Sequence, residues 1–319
     1  MTKNNSIPIE VGLVENTTGP IPLFPYSKKL TLEDKNEIEY FVKKFPFYSD
    51  YNFTSLFCYN INNKVEVSWL NGNLVVLFQD YITEYVFYSF LGENQVTETA
   101  LTLLNYAEST QTKAELRLIP DYVIKLLGAD ESIIVREDEN NFDYILSIPA
   151  LAEYKGKEFS NKRNHTNQFK RKYPNHNVRL LDLNNEAVRN QLLEFCKSLI
   201  EKNLLDISNS HELQALECLL KNKHHFNVYC FGIFVDDKLA SFLVCEQLNS
   251  EYIIGHFEKS DIYFDGISPF LIQEVSKYLK TKGFRYFNYE QDLGITGLRT
   301  VKQRYRPAYY LKKYIITKK

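Results

Sequence analysis

Between residues 252 and 307 the chain gathers side chains able to move a proton and hold an anion. His256 and Glu258 stand two apart in YIIGHFE, and Asn288, Glu290 and Asp292 alternate in NYEQD. Acyl transfer to an amine or hydroxyl needs a base of near-neutral pKa and a carboxylate to orient it. His256, Glu258 and Glu290 are therefore the candidate catalytic residues, although a single histidine in a strand is more often a hydrogen-bonded structural residue. Glu290 and Asp292 alternatively bind a substrate amine, or cap a turn and pair with Arg299 or Lys302. Gly266 and the Gly294-Ile295-Thr296-Gly297 run each lead into a helix, where free backbone N–H groups bind anions and flanking cations add to the field. Arg299, Lys302 and Arg306 follow at i, i+3 and i+7.

Two strands must position these groups, over 252–258 and 284–290. Period-two alternation predicts Tyr252, Ile254, His256 and Glu258 on one face of the first strand. In the second, Phe284, Tyr286, Asn288 and Glu290 share a face. Both strands turn polar at their carboxyl ends, where open α/β sheets place ligands. After the first, Ser268 reads as a helix N-cap and Pro269 as the first helical residue. After the second, a short helix is expected with Leu298, Val301 and Tyr305 on one side and the three cations on the other. A helix over 155–173 carries Phe159, Thr166, Phe169 and Tyr173 in one sector. Lys162 falls inside that sector, which packing alone would not choose. Either the lysines snorkel from a solvated basic helix, or Lys162 and Arg163 line a polyanion-binding cleft; Asn164, Asn167 and Arg171 form a separate polar face.

The remaining chain reads as a plainer version of the same order. Residues 1–29 are rich in Pro and Gly and read as an arm or packed loop. Thr31 with Asp34 opens a helix carrying Ile38, Phe41, Val42 and Phe45. Strands follow over 65–70, 74–79 and 84–90, the first two joined by the hairpin signal Asn71-Gly72. A helix over 96–109 and strands near 115–118 and 133–136 complete the pattern, and the polar run 137–141 is the expected boundary between domains 1–140 and 141–319. Beyond it come a strand over 178–183, helices over 186–201 and 210–221, and an apolar hairpin over 228–247. Residues 309–317 are expected to close the second sheet.

At 319 residues, two domains are the first expectation. A net charge of -2 gives no overall field for nucleic acid, so such binding needs a local patch, and no DNA partner is expected. The five cysteines, Cys58, Cys196, Cys218, Cys230 and Cys245, show no metal-ligand spacing and read as reduced core residues. No leader and no run of about 18 apolar residues is present, which points to a cytoplasmic protein and leaves peripheral membrane contact open. P-loop, GxSxG and HExxH motifs are missing.

Three blocks, LAEYKGKEFSNKRNHTNQFKRKYP, HFEKSDIYFDG and NYEQDLGITGLRTVKQRYRP, together resemble the phosphatidylglycerol lysyltransferase C-terminal-domain family, which is related to the GNAT acyltransferases. The resemblance covers the second half strongly and the first half as a degenerate repeat. It implies two tandem GNAT-like α/β domains, each a mixed, mainly antiparallel sheet flanked by helices, with the active cleft in the second. It also implies aminoacyl transfer from charged tRNA, and carries Arg299, Lys302 and Tyr305 over as donor-binding positions. In the lysyltransferases this part is joined to a membrane-embedded region that the sequence lacks. CoA-dependent GNAT enzymes cradle pyrophosphate in a Q/R-x-x-G-x-G/A loop, whereas residues 261–268 hold Gly266 alone. Aminoacyl-tRNA is therefore the favoured donor. An acyl-CoA-dependent N-acetyltransferase is the alternative, and a non-catalytic tRNA- or phospholigand-binding module is the alternative of another class.

Overall fold

The computed structural model describes residues 19–80, 85–110, 114–202 and 210–319. Two seven-stranded sheets, mixed and mostly antiparallel, are flanked by helices in the tandem GNAT-like arrangement expected. The first sheet runs β1 (Lys28–Lys29), β2 (Glu66–Leu70), β3 (Asn73–Gln79), β4 (Val86–Leu91), β5 (Glu115–Pro120), β14 (Lys313–Lys318), β6 (Ile133–Glu137). The second runs β8 (His176–Leu180), β9 (Val228–Val235), β10 (Lys238–Gln247), β11 (Tyr252–Ser260), β12 (Tyr286–Asn288), β7 (Asp143–Ser147), β13 (Tyr309–Leu311). The two orders are the same, and in each the sixth place belongs to a strand that has crossed over: β7 follows β6 out of the first sheet, and β14 follows β13 back into it.

Residues 309–317 therefore do not close one sheet. Leu311 pairs with Asp143, the first residue of β7, so that ladder is exhausted there. β14 instead fills the gap between β5 and β6 and is bonded on both edges. Unpaired backbone groups at two facing edges are costly, and one inserted strand satisfies both.

The helices are α1 (Lys35–Val42), α2 (Phe53–Cys58), α3 (Val96–Ser109), α4 (Asp121–Ile124), α5 (Ile148–Glu153), α6 (Ser160–Lys172), α7 (Glu186–Glu201), α8 (Ser210–Lys221), α9 (Ile267–Thr281) and α10 (Thr296–Gln303). Turn chemistry explains several boundaries. Asn71 and Gly72 both take left-handed φ, 53° and 76°, as a tight β2–β3 hairpin requires. Thr31 N–H donates to Asp34 at 2.8 Å, the expected reciprocal cap. The strand expected from 84 starts at Val86, and Glu84, like residues 1–18 of the expected arm, lies outside the described residues.

One helix start differs. α9 begins at Ile267 with Gly266 as its N-cap at φ 82°, so Ser268 and Pro269 fall inside the first turn. A Cβ on Gly266 would sit 2.2 Å from the His165 carbonyl oxygen of α6, so the glycine sets both the left-handed cap and the α6–α9 approach. Apolar residues of both sheets fill the interior. Phe242, Val244 and Phe257 face the first-half core, and Leu243, Ile253 and Phe287 face a second core under α5, α6 and α9.

Candidate active site

β11 and β12 pair in parallel only from Tyr252↔Tyr286 to Ile254↔Asn288; β12 then stops while β11 runs on to Ser260. The strands part there, and the polar residues lie around the parting. β11 also carries a bulge: Val244 pairs with Phe257 but Cys245 pairs with Gly255, which leaves His256 as the extra residue. A bulge breaks the two-residue period. His256 and Glu258, expected on one face, consequently lie on opposite faces of the sheet, and Glu258 does not orient His256.

His256 faces the first half of the chain and is 5% exposed. Its Nε2 is 3.0 Å from Glu246 and its Nδ1 is 3.4 Å from Glu290. Burial pulls its pKa down, but hydrogen bonds and charge from the two carboxylates outweigh that and raise it to about 9. It is an imidazolium held between two acids. Glu246 also accepts from Asn52 Nδ2 and Thr54 Oγ1, each at 2.9 Å. Burial raises the Glu246 pKa, and these partners together with His256 bring it below the ordinary value.

The opposite face holds a second set. Glu258 accepts from the Tyr289 hydroxyl at 2.5 Å, and burial raises its pKa against the pull of that bond and of Lys162, Lys302 and Lys259. Tyr289 and Tyr305 meet edge to face at 5.6 Å. Lys162 places its Nζ 3.4 Å from the centre of the Tyr305 ring, so its place in the apolar sector of α6 is an inward-facing one. Burial lowers the Lys162 pKa to about 8 despite Glu258. Lys302, 7% exposed, donates to the carbonyls of Tyr289 and, at 2.8 Å, Gln291. Burial lowers it to about 8 as well, against the raising effect of Glu290, Asp143, Glu258 and Asp292.

The other expected residues are more scattered. Asn288 is fully buried; its Nδ2 donates to the Phe47 carbonyl at 2.9 Å, and its Oδ1 accepts from Glu290 N–H. Asp292, fully buried, takes both prongs of Arg299 at 2.8 and 2.9 Å, the Tyr144 hydroxyl and Gly294 N–H. Burial pushes its pKa up, but these donors outweigh that and hold it low. The basic face expected on α10 is divided, because Lys302 and Tyr305 turn inward, Val301 faces solvent, Arg299 is engaged with Asp292, and Arg306 lies beyond the helix end. Arg163 ties down the carbonyls of Tyr154 and Gly156, Asn167 is exposed, and Gly297 lies open on α10.

Two sheets of the same strand order, each flanked by helices, are the tandem arrangement that the resemblance implied. The family described as phosphatidylglycerol lysyltransferase, C-terminal, matches residues 43–317. The chain belongs to that family.

Among solved structures, a conserved protein of unknown function from Bacteroides thetaiotaomicron is 25% identical, covering 92% of this chain and 99% of its own, with a TM-score of 0.79. A C-terminal domain assigned to a lysylphosphatidylglycerol synthetase of Agrobacterium fabrum is 12% identical over 89% of this chain and 90% of its own, with a TM-score of 0.62. The L-PGS of Bacillus licheniformis is 14% identical over 94% of each chain, with a TM-score of 0.58. These last two are alike in fold. No curated protein matches the chain. Among the described residues no helix is long and apolar enough to cross a membrane.

Sequence reasoning missed Glu246, Tyr289, Tyr154 and a polar cluster where the strands cross. Glu246 ends an apolar hairpin strand, and an acid at a buried register was the available signal. Tyr154, fully buried and stacked on Phe159, lies next to Tyr305. The crossover cluster joins Lys313 and Asp143 at 2.8 Å, with Asp50 also on Lys313 and Ser49 Oγ bonded to both Asp143 and Gln291.

Proposed function

We propose that this protein transfers an aminoacyl group from charged tRNA to an amine or hydroxyl acceptor, with the chemistry in the parting between β11 and β12. Family membership supports the reaction class. The observation that carries the site is a protonatable Glu258 bonded to Tyr289, with Lys162 and Lys302 both lowered to about 8 beside it. Burial that tunes a carboxyl upward and a lysine downward brings each toward the working pH, where it can exchange a proton.

In the transfer, the acceptor nitrogen or oxygen attacks the ester carbonyl of the donor. The acceptor loses a proton and the departing ribose oxygen gains one. Lys162, partly exposed and neutral in a sizeable fraction near pH 8, is the acceptor of the first proton; Glu258, whose pKa burial raises, supplies the second from its own carboxyl while the Tyr289 hydroxyl donates to it. His256 is already protonated and held by Glu246 and Glu290, so it positions the Glu290 turn and fixes charge there. Lys302 holds the carbonyls of Tyr289 and Gln291 and so sets the floor of the site.

The test incubates the protein with labelled aminoacyl-tRNA and either phosphatidylglycerol vesicles or a soluble amine. Acceptor-dependent movement of label off tRNA is expected. Turnover of acetyl-CoA with no movement from tRNA would replace this reading by the acetyltransferase one, and tight RNA binding with no transfer to any acceptor would replace it by a binding module.

A further inference from the structure

With the site read as above, we propose that residues 47–54 of the first half are its positioning element, holding the Tyr289–Glu290 turn and His256 from across the interface between the halves. The segment has two sides. Tyr48 and Tyr51, both buried, turn back into the first half, where Tyr48 donates to Asp121 and Tyr51 shares a hydrogen bond of 2.6 Å with Ser89. The residues around them reach the second half instead. The Phe47 carbonyl accepts from Asn288 Nδ2 at 2.9 Å. Ser49 N–H donates to Asp143 at 2.8 Å, Ser49 Oγ is 2.7 Å from Gln291 Oε1, and Asp50 accepts from Gln291 Nε2 at 3.3 Å. Asn52 and Thr54 each donate to one oxygen of Glu246.

These contacts converge on Glu290 from two directions. Asn288 and Gln291 flank the Tyr289–Glu290 pair, so Phe47 grips the turn on one side of it and Ser49 on the other. Asn288, fixed by Phe47, presents its Oδ1 to Glu290 N–H at 2.8 Å, and the Tyr289 hydroxyl beside it donates to Glu258. From the second direction, Glu246 holds His256 Nε2 at 3.0 Å, and the other ring nitrogen lies 3.4 Å from Glu290. Local structure aims the second grip. Asn52 Oδ1 caps α2 by accepting from Ser55 N–H at 2.9 Å, which leaves its Nδ2 for Glu246.

Apolar side chains would serve as well to hold two halves together. The interface instead buries Ser49, Thr54, Glu246 and Asn288, each with a partner. A fully satisfied buried network fixes one geometry where apolar packing tolerates several. The first half, whose own bend carries no acid–histidine set, thereby acts on the chemistry of the second.

The experiment uses three variants of the full chain. Thr54→Val keeps the shape and removes the donor to Glu246, Thr54→Ser keeps the donor, and Asn52→Ser keeps the α2 cap on a side chain too short to reach Glu246. In the transfer assay above, kcat should fall about tenfold in Thr54→Val and in Asn52→Ser, the equivalent of one hydrogen bond to a charged group, with KM for the donor unchanged. Thr54→Ser should restore it. Nitrogen-15 NMR of labelled histidine reads the same geometry without turnover: the imidazolium N–H of His256, assigned by its loss in His256→Gln, should exchange with water about tenfold faster in Thr54→Val and Asn52→Ser than in wild type. If the wild type transfers nothing, the reading of the reaction falls and the exchange rates alone decide the positioning. If Thr54→Val does not fold, Asn52→Ser carries both measurements. Exchange rates equal to wild type overturn the proposal, as does a loss of transfer that Thr54→Ser shares and that follows the melting temperature.

Discussion

The two sheets share strand order and a backbone device but differ in what they mount on it. In the first, β4 and β5 touch in parallel at Tyr88↔Leu116, and Leu118 takes a left-handed φ of 56° where β5 shifts register against β14. In the second, Glu290 takes a φ of 54° just past β12, where Tyr144 of β7 bonds to both Tyr289 and Glu290. The side chain at the first bend is the apolar Leu118, with Arg117 before it reaching Asp80, Glu115 and Asp138. Next to the second lie Glu290, His256 and Glu258. The bent backbone belongs to the fold, and the chemistry belongs to whichever side chains occupy it. A left-handed non-glycine residue is costly wherever it stands, so its presence at the apolar bend shows that such strain is not by itself a mark of a site.

The sheets are joined at the point where their strands cross. Asp143 opens β7, Lys313 opens β14, and these two first residues form a fully buried ion pair that also takes in Asp50. Removing Lys313 would leave two buried carboxylates facing each other. Lys313→Met should therefore cost about 3–5 kcal/mol of stability, the range for breaking a buried pair from one side. Urea unfolding followed by tyrosine fluorescence and by circular dichroism checks it. Because each sheet holds a strand of the other's connection, one shared transition is expected. Two separate transitions would show that the sheets are independent and that the crossing does not couple them.

The next largest effect distinguishes the two bends. Glu258→Gln should lower transfer by about a hundredfold or more, close to 3 kcal/mol in the barrier, with a melting curve near wild type. Leu118→Met at the apolar bend conserves volume, so it should cost less than about 1.5 kcal/mol of stability and no transfer. Equal loss of transfer in both variants would mean that the bends act through stability alone, and the assignment of chemistry to the second would fall.

The contrast between the sheets also shows what was legible in the chain. Helices and hairpins followed from local signals: Asn71-Gly72 turned as expected, and Thr31 was capped by Asp34. The His256 bulge had no such signal, because it is set by how β11 registers on β10, and one extra residue moved Glu258 to the other face. Lys313 sits in LKKYIITKK, expected to close the second sheet, and nothing local marks it as fully buried. Its burial arises from the crossing of β14 into a sheet whose other strands lie some 180 to 195 positions earlier, where Tyr314 meets Ile119 and Thr317 meets Ile134. Arg163 and Arg299 had the residue type expected of an anion site, but their partners, the Tyr154 carbonyl and Asp292, are fixed by tertiary packing.

A pH experiment sharpens the crossing further. Burial raises the Asp50 pKa to about 6 against the pull of Lys313, with Asp143 adding to the rise. A carboxyl that binds its proton more tightly folded than unfolded favours the folded state at acid pH, and that contribution is lost as pH rises from about 4 through about 6. Asp50→Asn removes the titration and leaves Lys313 paired with Asp143. The variant should therefore gain on the wild type across that window, by on the order of 2 kcal/mol at pH 7 relative to pH 4. Denaturant midpoints for both proteins between pH 4 and 7 measure it. Parallel curves would mean that Asp50 stays charged throughout, with Lys313 shared evenly between the two acids.

The smallest effect concerns Gly297, in the first turn of α10. Its φ is not left-handed, and a Cβ there would meet no atom within 4 Å, so the fold makes no demand for glycine. Alanine is the better helix former, and Gly297→Ala should raise stability by about 0.5–1 kcal/mol. The physical role left for a missing side chain at a helix start is to let an anion approach the backbone N–H groups closely. Neither Leu118 nor its neighbours on the apolar bend lead into such a turn, so the comparison of the sheets hangs partly on this one. The substitution should weaken binding of charged tRNA while the melting temperature rises, read by filter binding and calorimetry on one preparation. Unchanged binding with the same rise in stability would remove the start of α10 from the donor site and leave the parting of β11 and β12, with Lys162 and Glu258, to hold the donor.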